Sequence, residues 1–182
     1  LFAQVTNPPI DSLREKIVTD TTVYVGSDGN LLEPKSKNCT VLEINNPILT
    51  GTDMMKIKSL DVPGLKTAVV SLLYYKNTPL KDALDNVFVS IEREYRNGSN
   101  IIVLSDRGVD ANHVAIPSLL AVSAVEQYLI RTKKRTAISI ILESAEVRNV
   151  HQSAMLLGYG ARAINPYLAH EAIAELIDQK LL

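Results

Sequence analysis

The sequence predicts an α/β fold of about four consecutive βα units whose parallel sheet resembles either a partial (βα)8 barrel or an open α/β sheet, preceded by an irregular N-terminal arm. Two observations carry this reading. From Leu65 onward, short apolar runs rich in β-branched residues alternate with longer stretches whose apolar residues recur every three or four positions. The runs begin at Thr67, Asn100, Ala137 and Ala161, a spacing that suits consecutive right-handed βα units of roughly 30 residues each. With 182 residues, 46% of them apolar and 21% charged, the chain is long enough and apolar enough to bury one core.

Residues 1–64 read as an arm belonging to the same domain as the α/β core at 65–182. Asn7-Pro8-Pro9, Asp28-Gly29, Glu33-Pro34, Asn46-Pro47 and Pro63-Gly64 interrupt every short apolar run. Within the arm, Asp11 is placed to cap a short helix. Thr22 to Val25 and Asn30 to Leu32 flank a candidate turn at Asp28-Gly29, and Thr50 with Asp53 forms a capping box for a helix through Lys58.

In the core, strands are expected over Thr67 to Leu73, Asn100 to Ser105, Ala137 to Leu142 and Ala161 to Asn165, each apolar on both faces as a covered parallel strand requires. The first helix carries Leu80, Ala83, Leu84, Val87, Phe88, Ile91 and Tyr95 on one face and stops at Gly98. A second opens at Ile116-Pro117-Ser118 and runs through Ile130, with Arg131, Lys133 and Lys134 complementing its C-terminal dipole. A third spans Glu146 to Leu157, ending at Gly158, and a fourth runs from Ala169 to the end.

Nineteen Lys and Arg against twenty Asp and Glu give a net charge of -1, which lacks the basic excess that draws a protein to nucleic acid or anionic lipid. Apolar runs such as Ile101 to Leu104 and Ile138 to Leu142 are far shorter than the roughly 20 residues that span a bilayer. The single cysteine, Cys39, cannot close an internal disulfide or build a zinc or iron–sulfur site alone, and suits a reducing, cytoplasmic setting. The sequence starts with Leu1 and shows no basic segment followed by an apolar run, so it is expected to be a piece of a longer protein without a secretion signal. The sequons at Asn38 and Asn97 then read as ordinary loops.

Functional groups of parallel α/β folds gather at the C-terminal strand ends. Those ends hold Tyr74-Tyr75, Ser105-Asp106-Arg107-Gly108, Glu143-Ser144 and Asn165-Pro166, with His113 and His151 a few residues downstream of two of them. Asp106 and Glu143 tuned by Arg107 could move protons with either histidine. The same carboxylates also suit helix capping or pairing with arginine, which would hold loops without turnover, and this structural role is the favoured reading. No His or carboxylate spacing indicates a metal site. Leu157-Gly158-Tyr159-Gly160 follows a helix instead of preceding one, so it reads as a turn, and no Walker, GxGxxG or GxSxG pattern occurs.

Several ordered motifs together resemble one family: FAQVTNPPID at 2–11, GNLLE at 29–33, NPILT at 46–50, SDRGVD at 105–110, IPSLLAV at 116–122, the ES of ESAEVRNVH at 143–151, and LLGYGARAINPYLA at 156–169. They are similar to the central domain of the glutamate synthase large chain, across essentially the whole sequence. The resemblance implies a large chain with a glutamine amidotransferase domain, this central domain, an FMN-binding barrel with a 3Fe-4S cluster, and a β-helix. It implies formation of glutamate from glutamine and 2-oxoglutarate, with a small subunit or ferredoxin as electron partner, in the cytoplasm or in a plastid for a photosynthetic eukaryote. It also implies that the catalytic groups and cofactors lie in neighbouring domains and that this stretch alone is inactive. Ala145 stands where the family pattern leads one to expect glycine, Gln152 where it has histidine, and Glu126-Gln127-Tyr128 where it has a His-rich run, which makes those positions poor catalytic candidates.

Within Phe2 to Asp11, two prolines stiffen a segment bearing Gln4, Thr6 and Asn7, which suits a docking surface or an ammonia passage between domains; a simple bend that caps the next helix fits equally well. Two function classes follow. One is a noncatalytic connecting module of a multidomain oxidoreductase; the other is a self-contained partial-barrel enzyme or small-ligand binder using Asp106, Arg107, Glu143 and Asn165.

Overall fold

A computed structural model describes residues 21–30 and 32–182 of the chain. The helix expected after Asp11 and the residues Gln4, Thr6 and Asn7 lie outside this range. The fold is α/β. Strands β3 (Thr67–Ser71), β5 (Ile101–Ser105), β7 (Ser139–Glu143) and β8 (Ala161–Asn165) form a four-stranded parallel sheet in the order β3-β5-β7-β8. Neighbours in the sheet are thus successive βα units, as right-handed crossovers of this length produce. Among the described residues no further strand closes the sheet into a barrel.

Alternation along the strands divides the core in two. Ile102, Leu104, Ile140, Leu142 and Ile164 point to one face, where they pack against Ala83, Val87 and Ile91 of α2 (Leu80–Arg96), Ala121, Val122, Val125 and Leu129 of α3 (Ser118–Arg131), and Leu156 of α4 (Val150–Gly158). Ile101, Val103, Ile141 and Ala163 point to the other face, which is covered by the arm through Val25, Leu49, and Met54 and Ile57 of α1 (Gly51–Lys58). Each such buried Val, Leu, Ile or Met side chain contributes about 1.5–3 kcal/mol of hydrophobic stabilisation. The capping box at the start of α1 is present: Asp53 N donates to Thr50 Oγ1 at 3.2 Å and Thr50 N donates to Asp53 Oδ2 at 3.0 Å.

Hydrogen bonds pin the arm to the sheet at several points, among them one on β7 and one on β8. β1 (Val23–Gly26) ends at the lower rim, where Gly26 N donates to Ser139 Oγ at 3.0 Å and Ser139 Oγ donates to Gly26 O at 2.7 Å. Gly26 has φ +141, and a Cβ there would come within 3.2 Å of Leu65, so only glycine fits this approach. Farther on, Pro47–Leu49 runs beside β8: Ile164 N donates to Pro47 O and Leu49 N to Ile164 O, both at 2.7 Å.

Four expectations need correction. The partner of β1 is β2 (Val41–Ile44), antiparallel, and not residues 30–32; Asn30 instead closes a local turn, its side chain accepting from Leu32 N at 3.0 Å. The strand expected to reach Leu73 stops at Ser71, whose Oγ accepts from Leu73 N at 3.1 Å. The chain then turns out of the sheet as β4 (Leu73–Tyr75) and pairs antiparallel with β6 (His113–Ala115). Helix α4 begins at Val150 instead of Glu146, because Asn149 caps it by accepting from Gln152 N at 2.9 Å. The last helix, α5, covers Tyr167–Asp178, two residues earlier than expected, directly after Pro166.

Because Ser139 is buried and satisfies both backbone groups of Gly26, Ser139→Ala is expected to destabilise the chain by about 1–3 kcal/mol, the cost of orphaning buried polar groups. Urea unfolding should show a lower midpoint with an unchanged m-value.

Candidate functional site

Register brings the last residues of the four strands into one row, Ser71–Ser105–Glu143–Asn165. By alternation they share the face covered by the arm. Ser105, Glu143 and Asn165 are buried there.

Three side chains converge on the Glu143 carboxylate. Lys58 Nζ, at the end of α1, donates to Oε1 at 2.9 Å and Oε2 at 2.7 Å; Ser105 Oγ donates to Oε2 at 2.6 Å; Arg107 Nε donates to Oε1 at 2.9 Å. Burial pushes this carboxyl up, but the hydrogen bonds from Lys58, Ser105 and Arg107 outweigh it and hold Glu143 below the ordinary carboxylate value. Glu143 is therefore ionised at neutral pH and fully partnered. It has neither the raised affinity of a general acid nor a lone pair free for a base.

Asp106 takes separate partners. Ser144 Oγ donates to it at 2.7 Å and Ala145 N at 2.9 Å, which ties the loop after β5 to the loop after β7. Since the one proton of Ser144 Oγ goes to Asp106, Ser118 Oγ, 2.6 Å away, must donate to Ser144. Glu146 completes this network by accepting from Ser118 N, at the start of α3, at 2.7 Å. The Tyr167 hydroxyl also bonds Asp106; burial and then this carboxylate push its pKa up to about 12. Arg107 lies 3.7 Å from the centre of the Tyr167 ring, and its guanidinium reaches Glu171 at 3.6 Å. Asn165 Nδ2 donates to Leu49 O in the arm at 2.7 Å, while its Oδ1 is buried without a partner.

The strand-end residues Asp106, Arg107, Glu143 and Asn165 thus come together, but each is engaged by the chain's own groups. His113 pairs elsewhere. His113 sits in β6, its ring bonded to Asp110 at 3.0 Å and edge-on to Tyr75, and this contact leads the effects that lower Asp110 to about 2. His151 lies on α4 at the rim of a cavity of about 310 Å³ lined by Ser118, Glu146 and Leu156. Tyr75 belongs to β4, outside the parallel sheet. Lys58, Leu49 and Tyr167 complete the cluster without any sequence pattern to announce them; only the strand-end rule, applied to Glu143 and Asn165, hints that partners must exist.

The departures from the family pattern have structural partners of their own. Glu126 pairs with Arg135, Tyr128 stacks on Phe88 with ring centres 4.6 Å apart, and Gln152 accepts from Arg148 N at 2.8 Å.

A family model described as "Glutamate synthase central domain" matches residues 1–182. The chain belongs to this glutamate synthase central-domain family. Among relatives, it is 42% identical over 179 residues to "Glutamate synthase [NADPH] large chain" of Bacillus subtilis, covering 98% of this chain and 12% of that protein. It is 38% identical over 187 residues to "Glutamate synthase [NADH]" of Schizosaccharomyces pombe, covering 100% of this chain and 9% of that protein. It is also 40% identical over 186 residues to "Ferredoxin-dependent glutamate synthase 2" of Synechocystis, covering 98% and 12%. The glutamate synthase central domain therefore spans only 9–12% of the length of these curated relatives.

The residues of this central domain do not fit the 3Fe-4S cluster that the family implies. Cys39 is the sole cysteine, too few for a 3Fe-4S cluster, and no group of three or more metal-ligating side chains occurs among the described residues.

The lowered Glu143 pKa gives a signed pH dependence. Its contribution is full above the unfolded value near 4.3 and is lost as pH falls through the lower folded value. Glu143→Gln should therefore lower Tm at pH 7, with the gap to wild type narrowing below about pH 4. A Tm–pH series from 3 to 7 checks this, and parallel curves would contradict it.

Proposed function

We propose that this chain is the connecting domain of a glutamate synthase large chain. In this reading it links the glutamine amidotransferase domain to the FMN-binding synthase domain, while glutamate forms from glutamine and 2-oxoglutarate elsewhere in the protein. Residues 1–64 and 65–182 act as one unit within that larger enzyme. The observation that carries the reading is the consumption of the strand-end carboxylates by the chain's own side chains and backbone: Glu143 by Lys58, Ser105 and Arg107, and Asp106 by Ser144, Ala145 and Tyr167. A site for turnover needs such groups free to meet a substrate, and these hold loops in place.

FMN and the 3Fe-4S cluster then belong to the parent enzyme outside this stretch, and the isolated chain is inactive. Partners are the amidotransferase and FMN-binding domains of the same polypeptide, with a small subunit or ferredoxin delivering electrons. The relatives' names divide among NADPH, NADH and ferredoxin, which supports a central domain indifferent to the donor. No described helix is long and apolar enough to cross a membrane. We place the parent in the cytoplasm, or in a plastid in a photosynthetic eukaryote, as the rice and spinach relatives named chloroplastic would suggest.

Titrating the purified chain with FMN and then 2-oxoglutarate should give no saturable flavin quenching and no calorimetric isotherm. Saturable binding abolished by Asp106→Asn would restore the self-contained site. For the passage role of Gln4, Thr6 and Asn7, Asn7→Ala in the full enzyme should raise glutamine hydrolysed per glutamate formed; an unchanged ratio removes that role.

A further inference from the structure

The cavity of about 310 Å³ between α3 and α4 has a divided lining. Val147 and Leu156 supply buried apolar surface, and Leu119 and Met155 more accessible apolar surface. At its polar end stand Ser118 and Glu146. A mostly apolar hollow of this size with a few polar groups has the make-up of a small-molecule site.

The direction of the hydrogen bonds behind the cavity decides which head group it takes. Ser144 Oγ gives its only proton to Asp106 at 2.7 Å and accepts from Glu146 N at 3.1 Å. Ser118 Oγ, 2.6 Å from Ser144 Oγ, therefore spends its own proton on Ser144. Ser118 is 2% exposed, and towards the cavity its oxygen can only accept. Two hydroxyls in series ending on a carboxylate polarise that oxygen further towards negative. Glu146 adds a second acceptor: its Oε2 takes Ser118 N at 2.7 Å, and among the described residues its Oε1 has no hydrogen-bond partner.

Helix starts attract anions, and two of them border this cavity. Both are already capped. The carboxylate of Glu146 sits on the start of α3, and its full charge exceeds the half charge of a helix terminus. Asn149 caps α4 by accepting from Gln152 N. Arg148 lines the separate cleft beside Ile48 and Val150, not this cavity. An anionic head would thus meet a carboxylate and an acceptor-only hydroxyl, whereas an ammonium brings the protons that both of them lack.

We propose that this cavity binds a small organic amine, its protonated amino group on Ser118 Oγ and Glu146 Oε1 and its apolar body against Val147, Met155 and Leu156. The same acceptors disfavour carboxylate-bearing molecules such as 2-oxoglutarate and glutamine. The site is therefore separate from the reaction proposed above and stands without it.

The test uses the full-length large chain and fluorine NMR, with para-fluorophenethylamine as the probe. Para-fluorophenethyl alcohol and para-fluorohydrocinnamate present the same body with a neutral and an anionic head. The amine should show saturable line broadening, the alcohol a weaker effect and the hydrocinnamate none. Glu146→Gln keeps an acceptor for Ser118 N but removes the charge, and should weaken the amine about tenfold while leaving the alcohol nearly unchanged. Met155→Trp fills the apolar part without touching these hydrogen bonds, and should abolish binding of both. No saturable binding of the amine, equal binding of the hydrocinnamate, or undiminished amine binding in either variant would overturn the proposal. Circular dichroism checks folding; if Glu146→Gln does not fold, the contrast of head groups in the native sequence and the loss in Met155→Trp still decide it.

Discussion

The buried charge of Glu143 is the constraint on which the upper half of this domain depends. A carboxylate at the end of a central strand, withdrawn from water, is tolerated only if its lone pairs are filled. Filling them requires Lys58 from α1, Ser105 from the neighbouring strand and Arg107 from the loop after β5 to be in place together. One side chain therefore fixes the position of the arm, the register of β5 against β7 and the course of a βα loop. The hydrophobic layers supply most of the stabilisation, but they are nondirectional and do not by themselves select this arrangement.

The same logic explains why the inner face of the sheet is covered here. Parallel strands direct their C-terminal ends towards one rim, and in a full barrel those ends face a shared space. In this half-sheet the equivalent face is packed by α1 and the segment around Leu49, whose carbonyl takes the Asn165 amide. Lys58 stands as a tethered cation where a free ligand would otherwise meet Glu143. The arm acts as a permanent occupant of the sheet's inner face, and the loop network of Asp106, Ser144 and Ser118 stiffens the rim around it.

The parallel strands and the helices between them were legible in the sequence because both rest on periodic burial, which repeats locally. The Thr50–Asp53 capping box was legible for the same reason, as its partners lie three residues apart. β4 and β6 were not, since three-residue strands containing Tyr75 and His113 carry no period. The start of α4 was misread because Glu146 and Val147 look helical, whereas Glu146 is spent on the α3 backbone and Asn149 sets the boundary. Asp106, Arg107, Glu143 and Asn165 could be singled out by position alone. Their partners could not: Lys58 lies 85 residues from Glu143 and Leu49 lies 116 from Asn165, and only the folded topology brings such separations to contact.

The short run Pro47–Leu49 along β8 bears on how the sheet can grow. By taking the Ile164 amide and donating to its carbonyl, it uses up backbone groups that an incoming chain would need, and Pro47 itself offers no N–H. Strand addition at Ile164 is blocked without any bulky or charged guard. Thr67–Ser71 is left, among the described residues, as the margin of the parallel ladder where a foreign strand could add. With one margin partly occupied, fewer backbone groups of the ladder are open to mispairing with other strands while the domain folds.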